Sequence, residues 1–439
     1  MHSLYLLIIF FITIKSSSST TSETISRFQE YLRINTAQPN PNYYKAADFI
    51  LSQAKSLSLE SQVIEFVKNK PLILLKWAGK NPNLPSILLN SHTDVVPVEF
   101  HKWVHPPFDA HIDSHGNIFA RGSQDMKCVG LQYLEAIRNL KDSGFEPTRT
   151  IYLSFVPDEE IGGRDGAEKL AQSDEFRKMN VAFVLDEGMP SVDENYRAYY
   201  AERAPMWLVI KALGAPGHGA KLYDNTAMEN LLTSIESIRR YRASEFDMVK
   251  SGLKTGGEAV SVNLVYLKAG TQTPTGFVMN MQPSEAEAGI DIRVPPTVDQ
   301  AALEKRIADE WAPASRNMTF EFKQKVSVLD KFGKPTLTVT YSSNPWWILL
   351  KEAVLNAGGK LEKPEIFFGS TDARFFRQQG IPAIGFSPIA NTPILLHDHN
   401  EFLNEAEYMK GIDIYASIIK AYASYSEPLA ETTAFKDEL

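Results

Sequence analysis

Cysteine is almost missing from this chain. Cys128 alone occurs in 439 residues, so no intramolecular disulfide can form in any compartment, and stability has to come from a buried core. A basic surplus is missing as well. With 45 Lys and Arg against 53 Asp and Glu, the formal net charge is -8, and no basic patch of the kind a nucleic-acid backbone requires stands out. Nucleic acid is thereby excluded as a partner class. No apolar run is long enough to span a bilayer, since the one pronounced stretch, Leu4 to Ile14, has only the length of a signal-peptide core. Internal repeats are absent, and low complexity is confined to the serines that follow that stretch. What remains is an ordinary globular composition, 44% hydrophobic and 22% charged, in a chain long enough to call for a main domain and a second one.

Both ends read as addresses. Lys15 and the small residues Ser16 to Thr21 follow the apolar stretch, which makes residues 1–21 a signal peptide. The chain closes on Lys436-Asp437-Glu438-Leu439, the retention signal that the KDEL receptor reads. The expectation is a protein of the endoplasmic reticulum lumen with no membrane span in its mature form and a tail over residues 425–439. Asn317-Met318-Thr319 is a glycosylation acceptor that such a route exposes to the glycosylation machinery.

The rhythm of the sequence predicts an α/β protein. Strand-like and helix-like segments alternate from Ser22 to about Tyr200, including a helix over Met126 to Lys141, which is the pattern of a mainly parallel mixed sheet with flanking helices. From 201 to 328 the order changes to βαββαβ. Met206–Leu213, Val260–Lys268, Ala286–Val294 and Thr319–Val326 read as strands; helices follow a cap at Asp224 and start at Thr297. That order describes an inserted two-layer α/β sandwich. The first alternation resumes over 329–424, with helices near Pro345–Ala357 and Asp372–Gln379 and a strand at Ala383–Phe386.

Ligand-type residues cluster where apolar runs stop. Ser86 to Asn90 ends at Ser91-His92-Thr93-Asp94, Ile151 to Val156 at Pro157-Asp158-Glu159-Glu160, and Val181 to Leu185 at Asp186-Glu187-Gly188. Open α/β sheets bind ligands outside the carboxyl ends of their strands, so these groups converge on one crevice. Each also has a plainer reading: His92 as a satisfied structural histidine, Asp158-Glu159-Glu160 as a solvated charge run. Asp94, two residues after His92, is placed to accept a hydrogen bond from the ring nitrogen not used for metal.

Taken in order, Ser91–Pro97, Gly122–Lys127, Asp158–Gly163, Asp186–Gly188, Gly217–Ala220, Gly369–Arg374 and Leu396–Glu401 resemble the successive site motifs of the dinuclear zinc acylases and carboxypeptidases. That family includes aminoacylase, acetylornithine deacetylase and succinyl-diaminopimelate desuccinylase, and the likeness runs from about Ser22 to Lys420, nearest to the aminoacylase branch. It implies two Zn2+ per subunit, with Asp125 bridging, His92 and Glu187 on one ion, and Glu160 and His397 on the other; His399 fits the family's spacing less well. It further implies a cis peptide at Asp125-Met126, Glu159 as the general base, and a zinc peptidase-like catalytic domain whose insert is a dimerisation or lid domain. His218 is then the residue that reaches the partner subunit's site in a homodimer, and Asn280, Arg293 and Arg374 contact the substrate. For Arg293 the plainer reading is a buried salt bridge.

The activity implied is hydrolysis of N-acyl-L-amino acids. A dipeptidase, a carboxypeptidase or a hormone-conjugate amidohydrolase of the same family is the nearest rival, although Cys128, three residues after Asp125, does not match the cysteine ligand of the plant-type branch. A catalytically silent scaffold would have lost ligands or the base, and none is lost here.

Overall fold

The computed structural model describes residues 21–426 of the chain. The signal-peptide reading and the Lys436–Leu439 signal lie outside the described residues. Two compact units are present. The first comprises 21–199, 338–364 and 371–426, and the second 200–337 with 365–370.

In the first unit, seven strands of the large sheet lie in the order Glu60–Val67, Lys70–Trp77, Ile151–Val156, Ser86–His92, Val181–Asp186, Ala383–Phe386 and the strand beginning at Ala198. The centre is parallel: Ser86–His92 runs parallel to both Ile151–Val156 and Val181–Asp186, which in turn runs parallel to Ala383–Phe386. Lys70–Trp77 and the strand from Ala198 pair antiparallel at the flanks. Ser86–His92 and Val181–Asp186 are buried at every position, which is why they read as continuous apolar runs without alternation. Helix Lys127–Asp142 buries Cys128, Leu131, Leu134 and Ile137, and helix Glu405–Ser424 buries Ile412, Tyr415 and Ile419; one apolar core joins these residues to Ile87, Leu89 and Leu153 of the sheet. Burying such side chains stabilises the fold by roughly 1.5–3 kcal/mol each.

The second unit carries the four-stranded antiparallel sheet Ser261–Ala269, Glu285–Val294, Ala204–Leu213, Met318–Lys325. Helix Ala227–Lys250 covers one face with Leu231, Ile235 and Ile238. The cap of that helix is Thr226, whose hydroxyl accepts the Glu229 amide hydrogen bond at 3.2 Å, and not Asp224; the capping-box spacing from Thr226 to Glu229 outcompetes the earlier carboxylate. The second predicted helix starts after Asp299, whose carboxylate accepts from Ala302, rather than at Thr297.

The unit boundaries also differ from the expected 201–328. Residues 329–337 stay with the second unit because Gln300 ties down Val326 and Val328, and Val328 in turn pairs with Thr336. Residues 365–370 join it through Arg203, which donates to the Phe368 carbonyl at 2.9 and 3.0 Å. Among the described residues no helix is long and apolar enough to cross a membrane.

Candidate metal centre

The parallel strands of the first unit end together, and their ends carry the ligand-type residues. His92 is the last residue of its strand and is 1% exposed. Its Nε2 lies 3.1 Å from Asp125 Oδ1 and 3.6 Å from Glu187 Oε2. His397 approaches from a loop, with Nε2 3.2 Å from Asp125 Oδ2 and 3.1 Å from Glu160 Oε2. Asp125 therefore offers one carboxylate oxygen to each imidazole. Ligand atoms of His92, Asp125 and Glu160 lie within 4.8 Å of one another, as do those of His92, Glu159 and Glu187. All six residues come together, and the Asp125-Met126 peptide is cis.

Asp94 corrects the sequence reading. His92 Nδ1 faces the backbone carbonyl of Asp94 at 2.9 Å, while the Asp94 carboxylate stands 3.8 Å away. That carboxylate instead accepts the amide hydrogens of Glu159 at 3.1 Å and Glu160 at 3.2 Å. The physical reason is the short 3-10 turn Glu159–Ile161, whose leading amides have no carbonyl within the turn to bond. An anion satisfies both, so Asp94 positions the base and a ligand, and its carbonyl alone orients the histidine.

Two anchors were not visible in the sequence. Glu401, fully buried, accepts hydrogen bonds from Arg121 at 2.8 Å and from the amides of Gly122, Gln124 and Asp125 at 3.2, 2.6 and 3.3 Å. The Gln124 side chain donates to the Pro393 and Phe402 carbonyls and accepts from the Leu395 amide. Together they tie the loop bearing Asp125 to the loop bearing His397. The sole signal for Glu401 was its place at the end of the His397 motif; Gln124 gave none. On the other side, Asp158 takes hydrogen bonds from Tyr43, Gln38 and Lys70, fixing a residue at φ 65 immediately before Glu159.

The electrostatics fit a cation site. Burial pushes Glu187 and Glu159 well above the usual carboxylate range, helped by Asp125 for Glu187 and by Glu187 for Glu159, and pushes Glu160 to about 7. His397 rises to about 10 through its bonds to Asp125 and Glu160. His92 rises too, because Glu187 and Asp125 outweigh a burial that pulls it down. Four carboxylates this close cannot all ionise in a low dielectric without compensating positive charge, and here imidazolium protons supply it. Imidazole and carboxylate donors suit zinc, so the residues present fit a dinuclear divalent metal group.

The second unit holds other expected residues. His218 is exposed, and its Nδ1 accepts the Ala220 amide hydrogen bond at 3.1 Å. The Gly219 amide donates to the Asn280 carbonyl at 2.7 Å, and His218 and Asn280 line one cavity of about 530 Å3 with Val278 and Met281. Arg293 is half-buried and bonded in bidentate fashion to Asp291 on its own strand, at 2.9 and 3.1 Å. In the first unit, Arg374 donates to the Thr371 and Gly162 carbonyls.

Comparison with known proteins agrees with this geometry. The model of peptidase family M20/M25/M40 matches residues 88–421. Mouse aminoacylase-1 is 44% identical over 403 residues, covering 91% of this chain and 95% of the mouse protein. Among solved structures, an M20 family metallo-carboxypeptidase, Sso-CP2, from Sulfolobus solfataricus superposes with a TM-score of 0.67 at 18% identity, over 91% of this chain and 99% of that one. The YXEP protein of Bacillus subtilis, a dinuclear metal-binding peptidase, gives 0.63 at 15% identity, over 92% and 98%. The chain belongs to peptidase family M20/M25/M40 and is a metallohydrolase, with aminoacylase-1 proteins among its relatives above 40% identity.

Proposed function

We propose that this enzyme hydrolyses the amide bond of N-acyl-L-amino acids, releasing a free amino acid and a carboxylate such as acetate. The observation that carries the reading is the placement of Asp125 between His92 and His397, with Glu159 held beside them by Asp94. The aminoacylase relatives, matched over nearly their whole length, support the substrate class. His92 and Glu187 would hold one zinc, Glu160 and His397 the other, and Asp125 both. Bound there, the ions would polarise the amide carbonyl and make a water acidic enough to lose its proton near neutral pH.

The remaining chemistry belongs to the chain. Glu159 accepts the water's proton and returns it to the leaving nitrogen, without which an amide anion would have to depart. Its burial among carboxylates raises its proton affinity, which suits both halves of that task. Asp94 holds the turn that aims it. His218, with Nδ1 accepting from Ala220, carries its proton on Nε2 when neutral and can donate to a developing oxyanion. By the motif resemblance this donation crosses a homodimer, with the partner's His218 serving the site. Asn280 and Arg293 are the substrate contacts this reading favours, and Arg293 must then exchange Asp291 for the substrate carboxylate.

Zinc-loaded protein should turn over N-acetylmethionine far faster than methionine-containing dipeptides. The reverse preference would favour the dipeptidase or carboxypeptidase reading. The reading also places the protein in the endoplasmic reticulum lumen, with the leader removed, Lys436–Leu439 bound by the KDEL receptor and a glycan on Asn317. Asn317 is exposed in a left-handed turn before an edge strand. Cell fractionation and a mass shift on enzymatic deglycosylation check these assignments, and a cytosolic, unshifted protein would contradict them.

A further inference from the structure

We propose that Arg374 is a positioning residue, a clamp on the loop that carries Glu159 and Glu160, and not a grip on substrate. Its guanidinium donates from one terminal nitrogen to the Gly162 carbonyl at 2.9 Å and from the other to the Thr371 carbonyl at 2.8 Å. The group lies over the Phe375 ring, 4.4 Å from its centroid. Both of its ends are thus spent on backbone carbonyls, and one face is covered.

The loop it holds is short and closed on itself. Gly162 and Gly163 have φ of 107 and 63, their amides return to the Glu159 and Asp158 carbonyls at 2.8 and 2.7 Å, and the Gly163 carbonyl accepts from Glu168 at 3.0 Å. The Thr371–Phe375 turn presses directly on it, since a Cβ on Gly163 would stand 2.3 Å from Asp372 Oδ1 and 2.8 Å from the Phe375 ring. Asp94 holds the front of the loop through the Glu159 and Glu160 amides. Arg374 holds its back. A displacement of about 1 Å at a reacting group is enough to cost on the order of a hundredfold in rate, so a base fixed from both sides is what the geometry supplies. Lysine cannot reproduce the clamp, because one ammonium on a flexible stem does not span two carbonyls as a planar fork does.

The proposal rests on the assigned activity for one of its tests and is independent of it for the other. In Arg374→Ala and Arg374→Lys, kcat for N-acetylmethionine should fall about tenfold or more while KM changes less than about twofold. Added guanidinium should restore part of kcat in Arg374→Ala. The preference for N-acetylmethionine over its C-terminal amide, which lacks the carboxylate, should stay as in the wild type. Amide hydrogen exchange over residues 159–168 should quicken in both variants. A raised KM with a collapsed preference for the free carboxylate would show that Arg374 binds substrate, and unchanged kcat with unchanged exchange would remove the clamp. Should the wild type hydrolyse no acyl amino acid, the activity reading fails, and the exchange measurement alone still decides for or against the clamp.

Discussion

His92 and His397 present the same atom to the same aspartate from opposite surroundings. The His92 side chain is 1% exposed at the end of a central strand, and Glu187 beside it follows another. The His397 side chain is 58% exposed, on a loop residue at φ 62. Ladder hydrogen bonds between parallel strands set the first half of the centre; the second depends on Glu401 and Gln124 drawing two loops together. The difference teaches that a dinuclear site can be half scaffold and half loop. The exposed half is then the one through which ions and substrate enter, and the one that loosens first.

Several changes would break or sharpen this contrast. Asp125→Ala should abolish it, because the one residue common to both halves is gone: both ions should be lost together and activity should fall by three or more orders of magnitude, on the order of the effect of removing a core catalytic group. Elemental analysis checks this, and retention of one ion at full occupancy would show that Asp125 is not shared. Glu401→Gln should act on the loop half alone. An amide in place of the carboxylate turns one acceptor into a donor facing backbone N–H groups, so affinity for the ion on the His397 side should drop about 10–100-fold, while the His92 side holds its ion. Chelator competition should then show one early and one late release step.

The smallest effect is with pH. In the metal-free protein His397 keeps its proton up to about 10 and Glu160 up to about 7. Both values are raised above those of the unfolded chain, so the stability they contribute is complete below about pH 4.5 for Glu160 and about 6.5 for His397. It is lost as pH rises through about 7 and about 10 respectively. Metal loading must expel the same protons, so affinity should rise over that range by about tenfold per unit for each proton released. Calorimetry in buffers of different ionisation enthalpy measures the proton count. A count of zero at pH 7 would contradict the assignment of His397 as a ligand.

Much of the site was legible because its ligands stand where buried apolar runs stop: His92, Glu160 and Glu187 are each within four residues of a strand end. Asp125 and His397 came from motif resemblance, since neither follows a strand. What escaped was the second layer. Asp94 was expected to bond the His92 ring, but side-chain direction at a strand exit is decided by which backbone groups nearby lack partners, and the amides of Glu159 and Glu160 come from another strand 65 residues on. Glu401 reaches residues 276 to 280 positions away, a distance at which local pattern carries no information. In the fold, the strands were placed to within two residues, whereas Thr226 displaced Asp224 as cap and residues 365–370 joined the second unit, both outcomes of competition among local partners.

The account as a whole turns on Glu159 being the proton carrier and not a ligand. Glu159→Gln keeps the size and the backbone bonds to Asp94, yet cannot accept a proton. Turnover of N-acetylmethionine should fall by at least about a hundredfold, with metal content by elemental analysis the same as in the wild type. Loss of an ion alongside activity would make Glu159 a ligand, and wild-type turnover in the variant would contradict the mechanism outright.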